Sequence, residues 1–199
     1  MVSGMSGRWP LLVALSFCAL LVSVYATMAI AIMPIVIADL AAPSAIMQVG
    51  IYGYLLAFLG VLVPAPRRQT VLLTVSMALG LVVFGLATVL CALTPMPSLL
   101  IGGHALQALA GAAVLWAGTG LLRTAFPGPE LWKAIPIPAA AILVGLGAGL
   151  LIGMIVAELM SWRASFLMGL PLVAVALVAV LILAIRLASA VPDRRLPRP

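Results

Sequence analysis

Charge is missing from the middle of every long apolar run in this 199-residue chain. A charge at mid-bilayer costs about 2.5–3.5 kcal/mol on insertion scales, so its systematic exclusion is the mark of segments that sit in lipid. The composition agrees: 66% of residues are hydrophobic and 7% are charged, where a soluble domain carries about a quarter charged residues. Crossing a bilayer takes about 20 apolar residues. Proline and charge cut the chain into six runs near that length, at residues 11–38, 44–63, 69–93, 98–123, 131–158 and 165–187. The expected fold is therefore an all-α membrane protein, a bundle of six transmembrane helices. Residues 11–187 form the bundle, 1–10 a cytoplasmic amino terminus, and 188–199 a basic, proline-rich cytoplasmic tail. The connections are short, so consecutive helices are expected to be antiparallel neighbours, with no room for a domain outside the membrane.

Orientation follows from the basic residues. Six alternating helices place Arg8, Arg67, Arg68, Arg123, Lys133, Arg186, Arg194, Arg195 and Arg198 on one side, and only Arg163 on the other. Positive charge is retained on the cytoplasmic side, so both termini are expected inside. The same scatter argues against nucleic acid as a partner, because the basic residues mark segment ends instead of forming a patch. The run from Leu11 to Met33 is too long for the apolar core of a signal peptide and reads as the first membrane helix. Cys18 and Cys91 lie singly in apolar runs, and there is one histidine. No metal site, cofactor or catalytic constellation is expected, and the chain does not read as an enzyme.

Motifs along the chain carry a resemblance. The first run ends Ile32-Met33-Pro34-Ile35-Val36-Ile37-Ala38-Asp39-Leu40, the second holds Gln48 and Tyr54-Leu55-Leu56-Ala57, and the fourth holds His104-Ala105-Leu106-Gln107. Ser161-Trp162-Arg163-Ala164-Ser165-Phe166-Leu167 with Pro171-Leu172 opens the sixth. In order and spacing these resemble the amino-terminal six-helix half of a major facilitator superfamily permease, in the drug:proton antiporter branch. That resemblance implies a bacterial cytoplasmic (inner) membrane, transport or efflux, and a second six-helix half that this sequence does not contain. Several of the family's functional positions differ. Its helix-one acid aligns with Tyr25 and its fourth-helix arginine with His104; the loop after helix two has shrunk to Pro64-Ala65-Pro66-Arg67-Arg68-Gln69 without the family's aspartate. The fifth-helix glycine–proline motif aligns with Gly149-Leu150-Leu151-Ile152-Gly153-Met154 and lacks its proline. With no acid inside the membrane, proton-coupled antiport by this chain alone is not expected.

Tyr25 and Thr27 on helix one, Gln48, Tyr52 and Tyr54 on helix two, and His104, Gln107 and Trp116 on helix four are the candidate cavity-lining residues. The same side chains serve equally well as internal hydrogen-bonding groups or interfacial aromatics. Trp9, Trp132 and Trp162 sit at span ends, at the depth where aromatic rings meet headgroups. Gly145, Gly149 and Gly153 recur every fourth residue and form a candidate helix-packing face, either within the bundle or toward a partner.

Two functions compete. One is a half-permease for a small amphipathic or apolar compound, working in a homo- or hetero-oligomer. The other is a non-transporting membrane subunit with the same half fold that scaffolds or regulates a larger membrane complex. Either way the expected partners are the lipid bilayer and a second membrane protein or another copy of the chain. The transporter reading adds a small-molecule substrate.

Overall fold

The computed structural model describes residues 5–43, 45–63, 65 and 69–189. Among them the chain is entirely helical: α1 (Met5–Leu40), α2 (Ala45–Leu59) with a 3-10 turn at Gly60–Leu62, α3 (Thr70–Leu93), α4 (Pro97–Ala125), α5 (Glu130–Ala134), α6 (Pro136–Leu159), α7 (Trp162–Met168) and α8 (Leu170–Ser189). Five stretches are long and apolar enough to cross a membrane: Arg8–Leu40, Thr70–Leu93, Pro97–Ala125, Glu130–Leu159 and Trp162–Arg186. The basic tail from residue 190 onward, and Arg67 and Arg68 in the loop before α3, lie outside the described residues.

Proline sets most of the breaks. Pro136 and Pro138 interrupt the fifth segment, separating the short α5 from α6; each lacks an N–H for the carbonyl four residues earlier. Pro171 does the same just after Gly169, where α7 gives way to α8. Pro10 and Pro34 are both absorbed inside α1. That helix starts at Met5, so part of the segment expected as a free amino terminus is already helical. At its other end Ala41 adopts a positive φ of 46° while the Ala42 N–H donates to the Ile37 carbonyl at 3.0 Å. This is the reversed turn that commonly closes helices. The turn between α4 and α5 uses Gly128 at φ 63°, a conformation glycine adopts without steric penalty.

The packing departs from the expectation that chain neighbours are spatial neighbours. α3 and α4 do pack along one another, but the main partner of α1 is α6, and α8 lies against α3. The reason lies in the small-residue faces. Gly145, Gly149 and Gly153 are the buried glycines of α6, and they rest on the α1 backbone at Leu20, Val24 and Met28. A Cβ on Gly145 would stand 2.6 Å from the Leu20 carbonyl oxygen, and one on Gly149 would collide with the Val24 carbonyl and Thr27 Oγ1. The opposite face of α6 carries Leu143, Val144, Leu151 and Ile155, all exposed. An apolar surface of this extent suits lipid and not water.

Two charged contacts hold α1 at its ends. The Arg8 guanidinium donates to Glu130 at 2.7 Å, joining the start of α1 to the start of α5. At the far end Asp39 accepts from the Trp162 indole N–H at 2.9 Å and from Arg163 at 3.3 Å. Arg163 also lies over the Trp162 ring, 4.1 Å from its centroid. Trp162 is therefore buried inside a clasp instead of facing the headgroups, whereas Trp9 and Trp132 remain exposed. Ser161 caps α7, accepting from the Ala164 N–H.

The two faces of α6 should respond differently to one added methyl. Gly149→Ala should lower the melting temperature in mild detergent, by about 1–3 kcal/mol of stability as overpacked interiors do. Gly147→Ala, where an added Cβ meets nothing within 4 Å, should leave melting unchanged or slightly raised.

Candidate functional site

Two features occupy the bundle interior: a chain of buried polar side chains, and an apolar crevice on the side nearer the amino terminus. The polar chain crosses three helices. Tyr54 Oη on α2 donates to Gln107 Oε1 on α4 at 2.5 Å; Gln107 Nε2 donates to Thr88 Oγ1 on α3 at 2.7 Å; and Thr88 donates to the Phe84 carbonyl one turn back at 2.8 Å. All three side chains are buried. A buried amide or hydroxyl without a partner costs several times what a satisfied one contributes, so this chain fixes how α2, α3 and α4 sit together. Beside it Tyr25 Oη donates to the Phe166 carbonyl on α7 at 2.9 Å, and its ring meets Phe84 edge-on at 5.2 Å. His104 packs its ring against Phe166 at 5.5 Å, and neither of its nitrogens makes a hydrogen bond among the described residues.

The candidate residues thus fall into separate groups. Tyr25, Tyr54, His104 and Gln107 are brought together in the packed interior. Thr27 bonds back to the Ser23 carbonyl of its own helix and lies beneath Gly149, in the α1–α6 contact. Gln48 and Tyr52, four residues apart, are on the exposed face of α2. Trp116 is half-buried on α4. None of the eight lines the crevice, which is bounded by a different set.

The crevice has a volume of about 600 Å³ and lies between α4 and the α5–α6 segment. Leu15, Cys18 and Ala19 of α1 line it, with Met77 of α3; Leu115, Gly118, Thr119 and Arg123 come from α4, and Trp132, Pro138 and Ile142 from the far wall. The sequence assigned Arg123 to topology and Trp132 to the interface, and did not single out Thr88 at all. Thr88 was detectable as a hydroxyl in an apolar run, a signal it shares with Thr74 and Ser76; the crevice was not, because it depends on how α4 stands relative to the α5–α6 segment. Among the described residues no group of three His, Cys, Asp or Glu side chains could hold a metal ion. The acids found there, Asp39, Glu130 and Glu158, all stand at helix ends.

Gln107→Leu should remove both side-chain links at once and lower stability by about 1–3 kcal/mol. Tyr54→Phe should cost less. Combined, they should fall short of the sum of the two, since Tyr54 and Gln107 share one bond. Unfolding in mixed micelles, followed through a four-way mutant cycle, measures the difference.

No family model matches the chain. Individual curated proteins do. It is 31% identical over 189 residues to the tetracenomycin C resistance and export protein of Streptomyces glaucescens, covering 91% of this chain and 34% of that protein. Identity to the cephamycin export protein of Amycolatopsis lactamdurans is 36% over 143 residues, 70% of this chain and 29% of that one. The puromycin resistance protein of Streptomyces alboniger is 32% identical over 177 residues, 85% of this chain and 34% of its own length. The chain spans about a third of the length of the curated relatives it matches. With these relatives, the ordered motifs and the apolar helices, the chain belongs to the drug-export branch of the major facilitator superfamily.

Proposed function

We propose that this chain forms one half of a transport unit that moves a small amphipathic or apolar compound across a bacterial inner membrane. A second six-helix bundle, in a homo- or hetero-oligomer, completes the unit. The observation that carries the reading is the crevice: a drug-sized apolar volume among membrane helices, in a chain matched along 91% of its length to an export protein. Binding sites for small molecules typically span about 300–1,000 Å³ and are mostly apolar with a few polar groups. The chain performs no chemistry on its substrate; it binds and releases.

The proposed unit has six crossings with both ends inside. The sixth crossing is Ala45–Leu62, a 15-residue helix and a three-residue 3-10 turn. At about 1.5 and 2.0 Å per residue it extends about 28 Å, close to the hydrocarbon thickness of a bilayer. In permeases of this kind two six-helix halves are related by an axis along the membrane normal. The second bundle would stand beside this one in the same orientation, closing a shared cavity.

A contrary observation keeps the non-transporting subunit in view: the described acids sit at helix ends, so none of them lies mid-membrane to couple transport to protons. Expression in efflux-deficient bacteria separates the readings. Cells carrying the chain, with whatever membrane partner co-purifies, should accumulate less of one or more amphipathic antibiotics. The panel begins with the classes named for its relatives. Unchanged accumulation across that panel, with the protein inserted at normal levels, would favour the scaffold.

Topology has its own test, on a background lacking Cys18 and Cys91. A cysteine at Lys133 should react with impermeant maleimide only from the cytoplasm, and one at Met96 only from outside. Reaction of position 96 from the cytoplasm would overturn the six-crossing arrangement.

A further inference from the structure

The crevice carries a charge that the buried polar chain lacks. Arg123, in the last turn of α4, lines one end of it and is half-buried. The ion pairs among the described residues use other partners: Glu130 is taken by Arg8, and Asp39 by Arg163. Among the described residues Arg123 therefore presents a guanidinium without a carboxylate partner to a space lined mainly by Leu15, Met77, Leu115, Ile142 and other apolar side chains. Lys133, next to the lining residue Trp132, adds a second exposed cation on the same side. A guanidinium at the edge of a low-dielectric space attracts an anion far more strongly than one in water, and its planar fork suits carboxylate.

We propose that the crevice binds an amphipathic organic carboxylate, with the apolar body between α4 and α6 and the anionic group on Arg123. The volume of about 600 Å³ suits a single chain or a compact ring system and is too small to enclose both chains of a phospholipid. An inorganic anion would leave the apolar walls unfilled. The inference deepens the transport reading by naming a ligand class. It rests on that reading only for what the ligand is for. Binding is read at equilibrium without transport, so either can fail alone.

Trp132 supplies the reporter, being both a lining residue and 76% exposed. The full chain in phosphatidylcholine nanodiscs is titrated with 11-bromoundecanoate, whose bromine quenches indole fluorescence, and with the neutral 11-bromoundecanol. The carboxylate should give a saturable component of quenching that disappears in Trp132→Phe. Its affinity should fall about tenfold in Arg123→Gln, the scale of a lost charge-assisted hydrogen bond. Arg123→Lys should restore most of it, and the alcohol should bind wild type about as weakly as the acid binds Arg123→Gln. Gly118 lines the crevice, and a Cβ there meets only Leu15 at 3.7 Å. Gly118→Leu should therefore fill the space and abolish saturable quenching without changing the melting temperature. Equal affinity for acid and alcohol on the wild-type chain would overturn the proposal, whatever the variants do. So would undiminished binding in Arg123→Gln. Displacement of the probe by phosphatidylglycerol in the nanodisc would overturn it too, in favour of a membrane-lipid site.

Discussion

Everything else in the bundle is arranged around the close approach of α1 and α6. In water two helices associate because apolar surface leaves the solvent, but lipid is as apolar as leucine and offers no such gain. What remains is van der Waals contact at short range and a few polar links. Gly145, Gly149 and Gly153 provide the first by letting the α6 backbone come down onto the carbonyls of Leu20 and Val24. The second is supplied at the two ends, by Arg8 with Glu130 and by Asp39 with Trp162 and Arg163. These pairs are partly exposed and add little stability singly, but they fix the register in which the glycines meet α1.

Three of the polar side chains in the interior are matched to one another, whereas His104, Ser16 and Ser165 make no hydrogen bond among the described residues. Gln107 uses its oxygen for Tyr54 and its nitrogen for Thr88, which ties the three helices that the glycine face does not reach. The membrane reading explains why this chain is short: a hydrogen bond inside lipid is valuable mainly because leaving its groups unpaired is so unfavourable. The two interior features then divide the work. The polar chain holds α2, α3 and α4, and the crevice opens between α4 and the α5–α6 segment.

Much of this was legible in the sequence because lipid leaves few ways to satisfy a backbone. Helical segments, their proline-set breaks and the confinement of charge to their ends all follow from residue type alone. The every-fourth spacing of Gly145, Gly149 and Gly153 marked a packing face, and Tyr54 and Gln107 were both conspicuous as polar residues in apolar runs. What the sequence could not supply was which faces meet. Gln48 and Tyr52 share a helix with Tyr54 but turn outward, and a two-residue offset in register decides that. Trp162 looked like an interfacial anchor until the end of α1, far away in the sequence, brought Asp39 to its indole. Arg123 was visible only as a topology marker, because a crevice lined from several helices has no local signature in the sequence.

The partnership of α1 with α6 also has a consequence for biogenesis. α1 ends at Leu40 and its main partner α6 begins only at Pro136, so α1 leaves the ribosome well before it. At roughly 5–20 residues per second that gap is on the order of ten seconds, during which α1 stands in the bilayer without α6. The helix is suited to waiting. The Ser23 hydroxyl donates to the Ala19 carbonyl and Thr27 to that of Ser23, within α1 itself. Tyr25, whose acceptor is the Phe166 carbonyl, is the hydroxyl in this stretch whose partner comes late. Until Phe166 of α7 follows, the Tyr25 hydroxyl lacks the acceptor it has in the finished bundle, while Ser23 and Thr27 already have theirs within α1.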